Sequence, residues 1–197
     1  MTTEEKIFNA AQIVFQKKGF SGARMQEIAD QAGINKAMLH YCFKNKQLLF
    51  EAVFKNAFSQ LAPQINEIFN SEATVFEKIK KFTQNYISFV IKNPFLPAFV
   101  IQEMNNNPEF VANFLKNKNA PDASNFILQI ENEMTAGIIK RGNPNQLLLD
   151  ILSMTIFPFA AQMLVKGIIK LSDNEFNAMM EERKITVSEQ IINAIKK

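Results

Sequence analysis

The chain has 197 residues, 47% hydrophobic and 21% charged, enough to bury a sizeable core and too apolar for a disordered or low-complexity chain. One cysteine, Cys42, excludes an internal disulfide, and one histidine, His40, argues against a histidine-built metal site or catalytic triad. Net charge is +3 and sits early: residues 1–50 carry seven Lys/Arg against four Asp/Glu, residues 51–197 fifteen of each, so an anionic partner is expected at the N-terminal end.

The chain starts with a polar, acidic run, Met1 to Lys6, unlike a signal peptide. Residues 4–18 then place Ile7, Phe8, Ala11, Val14 and Phe15 on one helical face, with Thr2 and Glu5 as a capping box and Gly19 as the stop. A short helix follows over about Met25–Ala32, then Gly33, then another over about Asn35–Tyr41. Lys46 to about Asn70 reads as a long amphipathic helix. Beyond the linker Asn70–Thr74, periodic segments fall at about 75–92, 94–105, 108–117, 121–141, 145–169 and 173–195. Turn chemistry separates them at Asn93-Pro94, Asn107-Pro108, Ala120-Pro121-Asp122, Gly142-Asn-Pro144 and Ser172-Asp-Asn174, and Ser172 with Glu175 forms another capping box. The longest uncharged stretch, Ile151 to Val165, contains Pro158, which should kink its helix, and falls short of the ~20 residues of a membrane span. A cytoplasmic all-α protein is expected, with an N-terminal three-helix helix-turn-helix domain (residues 1–46) and a larger C-terminal helical bundle domain (residues 47–197). Fourteen of the nineteen Phe lie after residue 50, so the first unit is compact and basic and the second neutral and Phe-rich.

The informative stretch runs from Arg24 to Lys46. Ile28, Ala32, Ile34 and Leu39 are spaced to lock two short helices at a steep angle, and Ala29 is small where they cross. Gly33, four residues on, stands where the tight turn favours a positive φ. A plain helical hairpin with a Gly turn satisfies part of this pattern. The polar cluster Asn35, Lys36, His40 and Tyr41 on the second helix, and Lys44 and Lys46 at the next helix start, favour a helix-turn-helix set on DNA.

Residues 4–50 resemble the DNA-binding domain of the TetR family of transcriptional regulators. The matching positions are Gly19-Phe20, Ile28-Ala29, Ala32-Gly33-Ile34, Leu39, Tyr41, Phe43, Lys46 and Leu48-Leu49, in ungapped order; His40 departs from the commoner Tyr. The resemblance implies phosphate contacts from Arg24 and Gln26. It implies that Asn35 caps the recognition helix and touches phosphate or a base edge, and that Lys36 meets guanine O6/N7 or phosphate. Ala37 and Met38 would touch a thymine methyl, His40 and Tyr41 would hold backbone phosphate, and Lys46 would anchor the flank. Cys42 is expected to pack as a small hydrophobe beneath the motif.

The resemblance also implies an effector cavity among the central helices, suited to an unknown small apolar molecule. Phe89, Phe99, Met104, Phe126, Met134 and Phe157 are its candidate lining residues. Segments 145–169 and 173–195 are so apolar that a homodimer through these last two helices is expected. The expected function is a ligand-responsive DNA-binding transcriptional regulator, a repressor on a palindromic operator. The alternative is a helical carrier or sensor of apolar ligands with a vestigial helix-turn-helix. An enzyme is not expected, since no nucleophile–base pair, metal-ligand cluster or phosphate-cradling Gly loop occurs, and no cofactor is implied.

Overall fold

The computed structural model describes residues 1–94, 96–98, 100–101, 108–116 and 120–197; Phe99 and Met104, two of the expected cavity residues, lie outside them. The described residues are helical, apart from turns and one isolated bridge between Ile139 and Lys196. Among the described residues, these helices run in order: α1 Thr3–Gly22, α2 Met25–Ala32, α3 Lys36–Cys42, α4 Lys46–Asn70, α5 Val75–Lys92, α6 Pro108–Leu115, α7 Ser124–Thr135, α8 Pro144–Ala160, α9 Gln162–Ile169 and α10 Asp173–Ile195. No single one of them is long and apolar enough to cross a membrane.

Local chemistry fixes most boundaries. Thr2 and Glu5 form the expected capping box at α1, Thr74 and Glu77 one at α5, and Ser172 and Glu175 one at α10. Gly19, at φ 64°, interrupts α1 one turn before its end. Gly33, at φ 67° and ψ 33°, closes α2, a conformation that costs an L-residue about 1–2 kcal/mol.

Two expected helices come out differently. Segment 121–141 is helical only over α7; after Gly137 (φ 73°) the chain turns and docks on the end of α10. There the Lys140 N–H donates to the Ile195 carbonyl at 2.8 Å and its ammonium to the Ala194 carbonyl at 3.0 Å. Segment 145–169 is two helices, α8 and α9, bent by 79° at Ala161, three residues beyond Pro158. Pro158 has no N–H to offer the Met154 carbonyl four residues back, and Arg183 Nη2 on α10 donates to that carbonyl at 2.7 Å instead.

One core gathers Ile7, Ala11 and Phe15 of α1, Ile28 and Ala29 of α2, Leu39 of α3, and Leu49, Phe50 and Val53 of α4. Leu96, from far along the chain, completes it. A second core stacks Phe69 on Phe126 (centroids 4.8 Å apart) and on Phe82 (5.4 Å) among α4, α5 and α7. A third joins Ile87 and Val90 of α5 to Phe159, Phe176 and Met180. Helix α10 lies along α5 and buries Phe176, Met180, Val187 and Ile191. Its stripe is therefore largely buried within its own chain, with Ile185 left 55% exposed.

Candidate nucleic-acid interface

The site is built on a helix of seven residues that cannot be stable alone and is held by its neighbours. Leu39 is its one fully buried side chain, and the Phe43 ring that follows packs edge-on against Phe8 of α1, with centroids 5.8 Å apart. Asn35 caps the helix as expected: the Met38 N–H donates to its Oδ1 at 2.7 Å. The Gly33 and Ile34 N–H groups return to the carbonyls of Asp30 and Ala29, fixing the turn that sets α3 against α2.

With Leu39 inward, Asn35, Lys36, Ala37, Met38, His40 and Tyr41 all lie exposed on one projecting helix, with Arg24 and Gln26 exposed at the start of α2. Tyr41 is 87% exposed, an unusual position for a large ring. Arg24, Lys36 and Lys44 have no carboxylate partner among the described residues, so their charge is uncompensated on this face. Gln26 donates to Asp30 at 2.8 Å on its own helix. His40 Nδ1 lies 3.2 Å from the Lys44 carbonyl; a carbonyl only accepts, so Nδ1 carries the proton and Nε2 is left for an outside partner.

Two residues sit differently from the sequence reading. The Lys46 ammonium turns inward, donating to the Phe20 carbonyl at 2.8 Å and the Ala23 carbonyl at 3.1 Å, and lies 4.5 Å from the Phe20 ring centre. It closes the end of α1, where carbonyls lack helical donors, rather than facing outward to anchor the flank. Cys42 is exposed, not packed beneath the motif. Leu39 and Phe43, four apart, mark the inward face, and Cys42 falls on the turn beside it.

Behind this unit, the body forms a partly open cavity of about 400 Å³. Phe58, Phe82, Tyr86, Phe89, Leu96 and Val100 are among its walls. Of the expected lining residues, Phe89 is there, and Phe157 lines a neighbouring open groove of about 610 Å³. Phe126 and Met134 line neither; both are buried in the second core. The Tyr86 hydroxyl, buried in this apolar setting, has its pKa pushed up to about 12 and stays neutral. Leu96 belongs both to the cavity wall and to the core of the first unit, and Phe58, Phe89 and Val100 line the cavity while packing against that same core. Sequence reasoning missed Leu96, because nothing local marks a leucine as shared between two units.

Residues 7–53 match the family described as bacterial regulatory proteins, tetR family. The chain is 23% identical over 194 residues to the Bacillus subtilis (strain 168) protein named "Probable HTH-type transcriptional regulator YttP", covering 95% of this chain and 93% of that one. It is 28% identical over 106 residues to the biofilm operon icaADBC HTH-type negative transcriptional regulator IcaR of Staphylococcus aureus (strain Newman), a match spanning 54% of this chain and 55% of that one. Among solved structures, the fold is similar to a TetR-family transcriptional regulator from Haemophilus influenzae (TM-score 0.61, 22% identity, 99% of this chain and 97% of that one). It is also similar to Bacillus subtilis FadR in complex with stearoyl-CoA (TM-score 0.64, 19% identity, 97% and 98%).

Proposed function

We propose that the chain, whose residues 7–53 match the tetR family of bacterial regulatory proteins, is a DNA-binding transcriptional regulator rather than an enzyme, a cytoplasmic, homodimeric repressor released from a palindromic operator by a small apolar effector. Residues 1–46 form the DNA-reading unit and residues 47–197 the sensing and pairing unit. One observation carries the reading: with Leu39 inward, α3 turns Lys36, Ala37, Met38, His40 and Tyr41 outward, and Arg24, Lys36 and Lys44 have no carboxylate partners among the described residues.

Arg24, Gln26, His40, Tyr41 and Lys44 contact backbone phosphate, and Asn35, Lys36, Ala37 and Met38 reach base edges in the major groove. The negative regulation named for IcaR supports repression. Stearoyl-CoA in the FadR structure supports an effector with an apolar chain, which the cavity walls would accept. Filling that cavity would move Leu96 and Val100, and so the packing behind the DNA-reading unit, favouring a conformation with mis-spaced recognition helices.

Pairing uses the uncovered apolar side chains of the last helices. Leu149 and Phe157 on α8, Met163, Leu164 and Ile168 on α9, and Ile185 on α10 are all more than half exposed. Helix α9 buries none of its residues.

Selection from a random duplex library tests the reading. It should enrich a palindrome whose half-sites lie roughly 34–36 Å apart, or a multiple of that spacing. Failure to enrich any sequence would sink it.

A further inference from the structure

The open groove beside the cavity holds a guanidinium with no counter-charge among the described residues. Arg183 lines it, and its Nε is buried without any hydrogen-bond partner, the one such side-chain atom among the described residues. Nη2 is used on the Met154 carbonyl, a neutral acceptor. Among the described residues no carboxylate pairs with Arg183, and none of those lining the groove or the cavity is Asp or Glu. Burial lowers its pKa from the ordinary arginine value, but an arginine remains charged in any protein setting. A charge that is half desolvated and unpaired is costly, and an anion brought to it recovers part of that cost.

The surroundings add shape. Ile101, Leu152 and Ile156 line both groove and cavity, so a molecule leaving the cavity past these side chains meets the guanidinium. Apolar walls on one side and a lone cation on the other match a molecule of the same two-part character. We propose that the effector is an anionic amphiphile, its apolar chain in the cavity and its carboxylate or phosphate head on Arg183. This rests on the effector-cavity reading above and extends it by naming the head-group receptor. A cationic or zwitterionic amphiphile would place a positive charge beside Arg183 and is disfavoured. The groove opens beside Phe157, on the face assigned to pairing, so a second copy would form its outer wall.

The test compares one chain length with different heads: dodecanoate, dodecyl phosphate, dodecanol and dodecylamine, titrated against the full-length protein. The wild type should bind at least one of the two anions about tenfold or more tighter than dodecanol, and dodecylamine weakest; the better anion identifies the head group. Arg183→Gln, which keeps an N–H donor for the Met154 carbonyl, should bring anion and alcohol within about twofold, while Arg183→Lys retains a preference. Thermal melts establish that the variants are folded, and the wild-type series stands without them. Equal binding of anions and alcohol would overturn the head-group assignment and leave the cavity reading intact, as when a carboxylate of the second copy meets Arg183. Binding of none of the four would overturn both.

Discussion

Gln12 on α1 donates from Nε2 to Oδ1 of Asn93 at 3.1 Å, tying the DNA-reading unit to the end of α5. Asn93 is itself held, its Nδ2 donating to the Phe89 carbonyl at 2.9 Å, and Phe89 lines the cavity. One short chain of contacts thus runs from cavity wall to α1, in parallel with Leu96. A double-mutant cycle with Gln12→Ala and Asn93→Ala, read by denaturant unfolding, should return a coupling of about 0.5–1.5 kcal/mol. Strict additivity would mean the contact carries nothing between the two units.

The face of α3 separates contact residues from supporting ones. Lys44→Ala should weaken operator binding and reduce the slope of log affinity against log salt by about one, while Lys36→Ala should cost about 1–3 kcal/mol of operator binding and relax specificity at its base; neither should lower stability. Lys46→Ala should do the reverse: with two carbonyls losing a charged donor, it costs about 1.5–3 kcal/mol of stability and leaves the salt slope of the folded protein unchanged. A lowered slope for Lys46→Ala at full folding would show that its ammonium leaves α1 for phosphate.

Pairing through the last helices is checked by charge insertion. Ile168→Lys and Met163→Lys alter side chains 71% and 80% exposed, so neither removes core. Sedimentation should show these variants as monomers with melting profiles near that of an equally dissociated wild type. Dimers of undiminished affinity would move the interface elsewhere.

Acid sensitivity follows from the capping boxes. The carboxyl of Glu77 is held below its ordinary 4.5 by the Thr74 backbone N–H and then the Thr74 hydroxyl. That of Glu175 is held down by the Ser172 hydroxyl and then its backbone N–H. Folded-state values below unfolded ones mean these caps contribute fully above pH 4.5 and lose their contribution as pH falls through the lower folded values. Melting temperature should drop over that window, and Glu77→Gln with Glu175→Gln should flatten the drop. An unchanged pH profile in the double variant would remove the caps from the account.

Where structure depends on near neighbours, the sequence was a good guide. Thr2 with Glu5, Asn35, Gly33 and Ser172 with Glu175 each act on atoms within a turn, and the helices they bound lie where residue spacing put them. Features set by distant partners were not legible. Lys46 reads as a surface cation until the end of α1 is placed beside it. The proline at 158 advertises a kink, yet the chain bends at Ala161, and the carbonyl that Pro158 frees is met by Arg183 from another helix. Phe126 and Phe89 look alike in sequence; only packing puts one in a stacked core and the other on a cavity wall.

The central claim is that α3 reads sequence and does not merely carry positive charge. The most direct measurement is the affinity ratio between the selected palindrome and a scrambled duplex of the same length, at about 150 mM salt. The ratio should be on the order of 1,000 or more, falling towards one in Lys36→Ala combined with Asn35→Ala. Equal affinity for both duplexes, with a salt slope accounting for all the binding, would contradict it.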